Sequence, residues 1–158
     1  MFQIGDKIVH PMHGAGVVDS IVTKKINGVT REYYILKIPV GNMLVMIPTA
    51  NSQEIGVRPV VNKAEADRII ASIPGIEIKD AQNWNRRYRE NMLRLKSGNL
   101  TEVARVVKSL AIRESEHGLS TGERKMLHSA KQILISEIVL SQDCSYEDVE
   151  ARINTALA

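Results

Sequence analysis

Histidines, one cysteine and a cluster of arginines are the side chains with chemistry to offer in this 158-residue chain. His10 and His13, in His10-Pro11-Met12-His13-Gly14, have the spacing of a metal pair. With no cysteine and no further histidine nearby, a turn closing the first hairpin is the simpler reading. Gly14-Ala15-Gly16 has the outline of a nucleotide loop, yet strand-forming Val17-Val18 follows where a phosphate would need a helix N-terminus. His117 and His128 fall in separate helical contexts, and Cys144 reads as a bystander thiol near a helix start. No nucleophile elbow, histidine-glutamate zinc helix, phosphate-binding loop or carboxylate cluster is found. The sequence therefore predicts no catalytic residue, no metal and no cofactor.

The arginines are more informative. Asn83-Trp84-Asn85-Arg86-Arg87-Tyr88-Arg89 puts the single tryptophan of the chain at the first turn of a helix whose next residues carry three guanidinium groups. On an ideal helix Trp84 lies about 40° from Tyr88 and about 80° from Met92, so one reading makes it a core residue capping an apolar stripe. The other makes it an exposed wedge at a helix start, entering a nucleic-acid groove while the arginines hold phosphates on either side. A second basic helix start, Ser120-Thr121-Gly122-Glu123-Arg124-Lys125, supports the wedge. Arg124, His128 and Lys131 recur on one side of that helix, opposite Leu127, Ala130, Leu134 and Ile138. Two such starts in a small bundle suit a shared phosphate-contacting surface.

Residues 79–113 carry nine positive and three negative side chains, whereas acids gather at the C-terminal end. The overall charge of +3 is mild, so segregation rather than total charge argues for a basic patch. No apolar run approaches the roughly 18 residues that span a bilayer, and the first residues lack the pattern of a signal peptide. A cytoplasmic protein with no membrane and no small-molecule substrate is expected, and one cysteine suits a reducing compartment.

These residues need elements to hold them. Residues 1–58 predict an all-β module with strands over 6–10, 16–25, 31–39, 43–48 and 54–58. Turns are expected at Asn27-Gly28 and Gly41-Asn42. Five short strands favour a small bent barrel of the SH3 or Tudor type. Met43-Leu44-Val45-Met46-Ile47-Pro48 reads either as a strand buried on both faces or as an edge strand able to extend a partner's sheet. Lys24, Lys25 and Arg31 flank the first hairpin. Residues 59–158 predict a bundle of about five helices, four marked by N-caps at Asn62, Asn99, Ser120 and Ser145 and a further one beginning near Asn83, between the breakers Pro74-Gly75 and Ser97-Gly98. The fold class is thus α+β, a β half followed by an all-α half.

Gly5-Asp6 with His10-Pro11-Met12-His13-Gly14, the Glu32-Tyr33-Tyr34 strand, Asn83-Trp84-Asn85-Arg86-Arg87-Tyr88 and the run Gly118 to Leu127 together resemble the CarD/CdnL family of bacterial transcription regulators. The first half is also similar to the polymerase-interacting module of the transcription-repair coupling factor. This resemblance implies a Tudor-like domain that pairs with the β1 lobe of the RNA polymerase β subunit. It implies a helical domain at the upstream edge of the promoter bubble, with largely sequence-independent DNA contact. Trp84 becomes the minor-groove wedge, and Arg86, Arg87, Arg89, Arg124 and Lys125 the DNA-facing cations. Lys24 and Leu44, Val45, Met46 and Ile47 become the polymerase-facing residues, and polymerase would carry the protein to the nucleoid. Met46 departs from the arginine that well-known members carry there; pairing through backbone groups does not depend on it. The rival readings are a protein interaction adaptor with Trp84 in its core, and a plain duplex DNA or RNA binder acting without polymerase.

Overall fold

Alternating apolar residues give five strands: β1 Lys7–His10, β2 Gly14–Ile26, β3 Val29–Ile38, β4 Met43–Pro48 and β5 Arg58–Pro59. The computed structural model describes residues 1–79 and 81–158. The strands form one antiparallel sheet in the order β4-β3-β2-β1-β5, so β4 and β5 are its edges. Both predicted turns occur: Asn27 and Gly28 adopt φ 51° and 78°, and Gly41 and Asn42 adopt 87° and 49°. A hairpin that twists with its strands needs such left-handed residues. His13 N–H donates to the His10 carbonyl at 3.2 Å, so the two histidines close the β1-β2 turn, as expected.

The β2-β3 register shifts between Val18 and Ser20, which leaves Asp19 as the extra residue of a bulge. A bulge bends its strand, and it lets the long β2 pair with β1 at one end and project with β3 at the other. Ile8, Val18, Tyr34, Leu36, Ile38 and Ile47 fill the core of this half. The strand predicted over 54–58 is a correction. Ser52–Ile55 form a short helix, α1, ended by Gly56 at φ 96°, and only Arg58–Pro59 pair with β1. Closure of that helical turn by backbone bonds outweighs the strand preference of its apolar residues.

Five longer helices follow among the described residues: α2 Lys63–Ser72, α3 Trp84–Lys96, α4 Leu100–His117, α5 Thr121–Gln142 and α6 Tyr146–Leu157. A 3-10 turn at Ile73–Gly75 follows α2. All four predicted caps form, the side chains of Asn62, Asn99, Ser120 and Ser145 accepting from backbone N–H groups two or three residues on, and Asn83 caps α3 in the same way. Each such cap is worth about 1 kcal/mol relative to alanine. α5 is the central helix; Ala130, Ile133, Leu134 and Ile138 pack against Val103, Val106, Val107 and Leu110 of α4 in one core.

The halves are joined by polar contacts on α5. Ala15 N–H donates to Ser136 Oγ at 2.9 Å, and Lys7 Nζ donates to the Leu140 carbonyl at 2.9 Å. Gly14 lies at φ 105°, and a Cβ there would stand 2.6 Å from Ser136 Oγ, so glycine serves both the turn and the close approach. Arg58 grips fully buried Glu137 with two bonds of 2.7 and 2.8 Å, while Glu137 also accepts the Val61 N–H at 2.9 Å. Arg58 Nε adds a 2.6 Å bond to the Gly98 carbonyl.

Candidate nucleic-acid interface

The N-termini of α3 and α5 lie side by side. Asn83 caps α3 by accepting from the Arg86 N–H, and Ser120 caps α5 by accepting from the Glu123 N–H at 3.2 Å. Free N–H groups and the helix dipole give such ends partial positive charge. Trp84, the first residue of α3, is 41% exposed. Its Nε1–H donates to Ser120 Oγ at 3.0 Å, and its ring stacks on Tyr88 with centroids 4.9 Å apart and planes 18° from parallel. The Trp84 and Tyr88 rings pass over Gly122, where a Cβ would lie 3.5 and 3.6 Å from them. The tryptophan is therefore a surface residue clamped along one edge and one face.

Beneath this ring lies a buried ion pair. Arg87 and Glu123 are each 2% exposed, with Arg87 Nε and Nη2 donating to the two Glu123 oxygens at 2.8 and 3.1 Å. Arg87 Nη1 donates to the carbonyls of Ala81 and Gln82. The hydrogen bonds from Arg87 hold the Glu123 carboxyl below its ordinary value against the opposing effect of burial. Arg113 stands 3.9 Å from the same carboxylate and acts in the same direction.

Arg87 was expected among the DNA-facing cations, and the structure corrects this. Its guanidinium points inward, because Glu123 on the neighbouring helix offers a buried bidentate partner. The other predicted cations are exposed: Arg86, Arg89, Arg124 and Lys125 all present to solvent. Arg86 forms an i,i+4 pair with Glu90 at 3.1 Å. At 100° per residue, Arg86 and Arg89 lie about 160° and 140° around α3 from Trp84, whereas Lys125 is only about 60° around α5 from Gly122. Lys125 is thus the α5 cation on the side of Gly122, Arg124 Nη2 reaches back to the Leu119 carbonyl at 3.4 Å beside Ser120, and the α3 arginines form a separate basic strip.

In the sheet half, Lys24 is exposed and faces Arg31 across the projecting hairpin. β4 is an edge strand, so the alternative of burial on both faces is set aside. Thr49 N–H donates to the Glu32 carbonyl at 3.1 Å. Stepping back in twos through the antiparallel register, Ile47, Val45 and Met43 bond to β3, while Leu44 and Met46 turn their backbone groups outward. From Leu44 to Ile47 the side chains follow the same alternation. Leu44 is 68% and Met46 41% exposed, Val45 is half-buried, and Ile47 is a core residue. Ile47 therefore contributes no side chain to any partner, a correction to the expected polymerase-facing set.

Sequence reasoning missed the pairing partners. Ser120 and Glu123 mark only a helix start in the sequence, and their capping signal gives no sign that Trp84 and Arg87, each 36 residues away, use the same two side chains. No group of three or more metal-ligating side chains occurs among the described residues. Nor is any helix among them long and apolar enough to cross a membrane.

Comparison with known proteins bears on both halves. Residues 2–61 match the CarD-like/TRCF RID domain, and residues 68–154 match the CarD C-terminal domain. The chain belongs to the CarD family of transcription regulators. This CarD-family chain is 34% identical over 151 residues to the putative transcription factor YdeB of Bacillus subtilis, covering 96% of this chain and 99% of that protein. The first match ends just after β5, and the second begins within α2.

Proposed function

We propose that this CarD-family protein regulates transcription by docking on RNA polymerase and stabilising the open promoter complex. In this reading the sheet half, 1–58, is a Tudor-like module that adds a strand of the β1 lobe of the polymerase β subunit to β4. Leu44 and Met46 supply the outward backbone groups, and Lys24 supplies a flanking charge. The helical half, 59–158, then meets DNA at the upstream edge of the bubble. The observation that carries the reading is Trp84, a large apolar ring held at the surface between two helix N-termini, with Arg124 and Lys125 in the first turn of α5 and Arg86 and Arg89 on a separate basic strip of α3.

The mechanism is a shift of equilibrium. A protein that binds open DNA better than closed DNA changes the balance by its differential affinity alone. Inserting a ring between stacked bases costs a few kcal/mol, and that cost is smallest where the duplex is already unstacked. The bubble edge is such a place, so the wedge opposes reclosure. Docking through β4 raises the local concentration of a DNA-binding half that is weak alone. Each phosphate contact adds about 0.9 to the salt slope, which gives binding that is salt-sensitive and mostly indifferent to sequence.

The decisive experiment measures the lifetime of open complexes formed by bacterial RNA polymerase with no addition, with the wild-type protein, and with folded Trp84→Ala. A lifetime lengthened by the wild type and not by the variant is the expected result. If neither changes the lifetime although both bind the β subunit, the protein is an interaction adaptor instead.

A further inference from the structure

We propose that Ser120 is the positioning residue of the Trp84 wedge, its hydroxyl fixing the indole against the start of α5 before DNA arrives. This rests on the wedge reading above and adds a residue whose role is distinct from capping. The indole has one polar group, the Nε1–H. On a residue 41% exposed, that group has water and the nearby Glu123 carboxylate as alternative partners, and the ring has two side-chain torsions through which to swing. Ser120 Oγ removes this freedom by accepting at 3.0 Å. The same oxygen accepts the Glu123 N–H at 3.2 Å, so its two lone pairs are both committed, one to the helix and one to the wedge.

The rest of the seat is rigid. The Arg87–Glu123 pair fixes the two helix starts relative to each other from below. Tyr88 covers one face of the indole, and Gly122 leaves room under both rings. A wedge already in place does not have to be ordered on binding, which is worth roughly threefold to tenfold in affinity for one side chain. A second consequence is chemical. The minor groove offers acceptors on every base pair. An indole N–H already bonded to Ser120 does not reach for them, so the ring enters as a purely apolar body.

Because Trp84 is the single tryptophan of the chain, its fluorescence reports the seat directly. The experiment uses full-length wild type, Ser120→Gly, Ser120→Thr and Trp84→Ala, each checked for an intact fold by circular dichroism. Glycine at a helix N-cap costs only a few tenths of a kcal/mol, so Ser120→Gly removes the acceptor while largely sparing the helix. Threonine retains the hydroxyl. For Ser120→Gly the expected result is red-shifted emission, increased acrylamide quenching and a gain in open-complex lifetime reduced roughly threefold to tenfold. Ser120→Thr restores both readouts. Unchanged emission and lifetime in Ser120→Gly, with the gain abolished in Trp84→Ala, overturns the role of Ser120 and leaves the wedge standing. A spectral shift in Ser120→Gly with lifetimes unaltered in both variants overturns the wedge itself and this role with it.

Discussion

Replacing Arg87 by methionine separates the two places its side chain could occupy. Methionine keeps the unbranched stem and deletes the guanidinium, so Glu123 stays 2% exposed without the two bonds of 2.8 and 3.1 Å that satisfy it. Arg113, 3.9 Å from one of its oxygens, replaces only part of the lost charge. Breaking a buried pair in this way costs about 3–5 kcal/mol. For a chain of this size each kcal/mol moves the melting temperature by about 2–4 °C, so a fall of roughly 10 °C is expected. Thermal and urea unfolding followed by circular dichroism measure it.

The pH dependence supplies a second test of the same substitution. In the wild type the Glu123 carboxyl is depressed below its ordinary 4.5. Its stabilising contribution is therefore complete above that value and is lost as the pH falls through the folded-state value. In Arg87→Met the buried carboxyl loses the hydrogen bonds that most depress it and keeps only weaker partners such as Arg113, so burial should push it upward, which favours the folded state on protonation. The stability gap between the two proteins should narrow from pH 7 towards pH 4. A gap below about 1 kcal/mol that does not change with pH would refute the reasoning. It would return Arg87 to solvent and to the DNA-facing set.

Four further outcomes follow from the same geometry. Trp84→Ala removes a ring that is only partly buried, so it should cost roughly 1–2 kcal/mol in urea unfolding while abolishing the gain in open-complex lifetime. Arg58→Met strands the fully buried Glu137 between the halves; about 3–5 kcal/mol should be lost, with the Ala15-to-Ser136 contact exposed to faster amide exchange. Leu44→Pro deletes an outward N–H on the edge strand and Val45→Pro deletes one bonded to β3. The first should impair binding to the polymerase β subunit with the sheet intact, and the second should destabilise the sheet, as pull-down and melting curves would show. Lys125→Gln should lower the salt slope of binding to bubble-containing DNA by about 0.9 without changing the fold; an unchanged slope removes Lys125 from the interface.

Local rules made much of this protein legible before its fold was known. A polar residue that caps a helix acts on N–H groups two or three positions away, so Asn62, Asn99, Ser120 and Ser145 announce their helices from their own neighbourhoods. Asn27-Gly28 did the same for the hairpin, because a left-handed φ is a property of the residue and its turn. The family signature, and with it Trp84 as a residue of interest, was likewise written in short contiguous runs. The stretch at 54–58 escapes this logic, since Ile55 and Val57 favour a strand by type while backbone bonds from Ser52 onward close a helical turn that Gly56 ends at φ 96°.

What tertiary structure alone decided was direction. Whether Arg87 faces solvent depends on Glu123, brought from 36 residues away by the packing of α5 on α3. Whether Trp84 is core or surface depends on how far the start of α3 overhangs that same helix, and Ser120 holds it at the rim. The apolar run of β4 could have been central or marginal; only the strand order made it an edge, and only the register turned Leu44 outward and Ile47 in. Helical and strand periods fix the angles between neighbouring side chains. They leave free the choice of which angle meets the core, and long-range packing makes that choice.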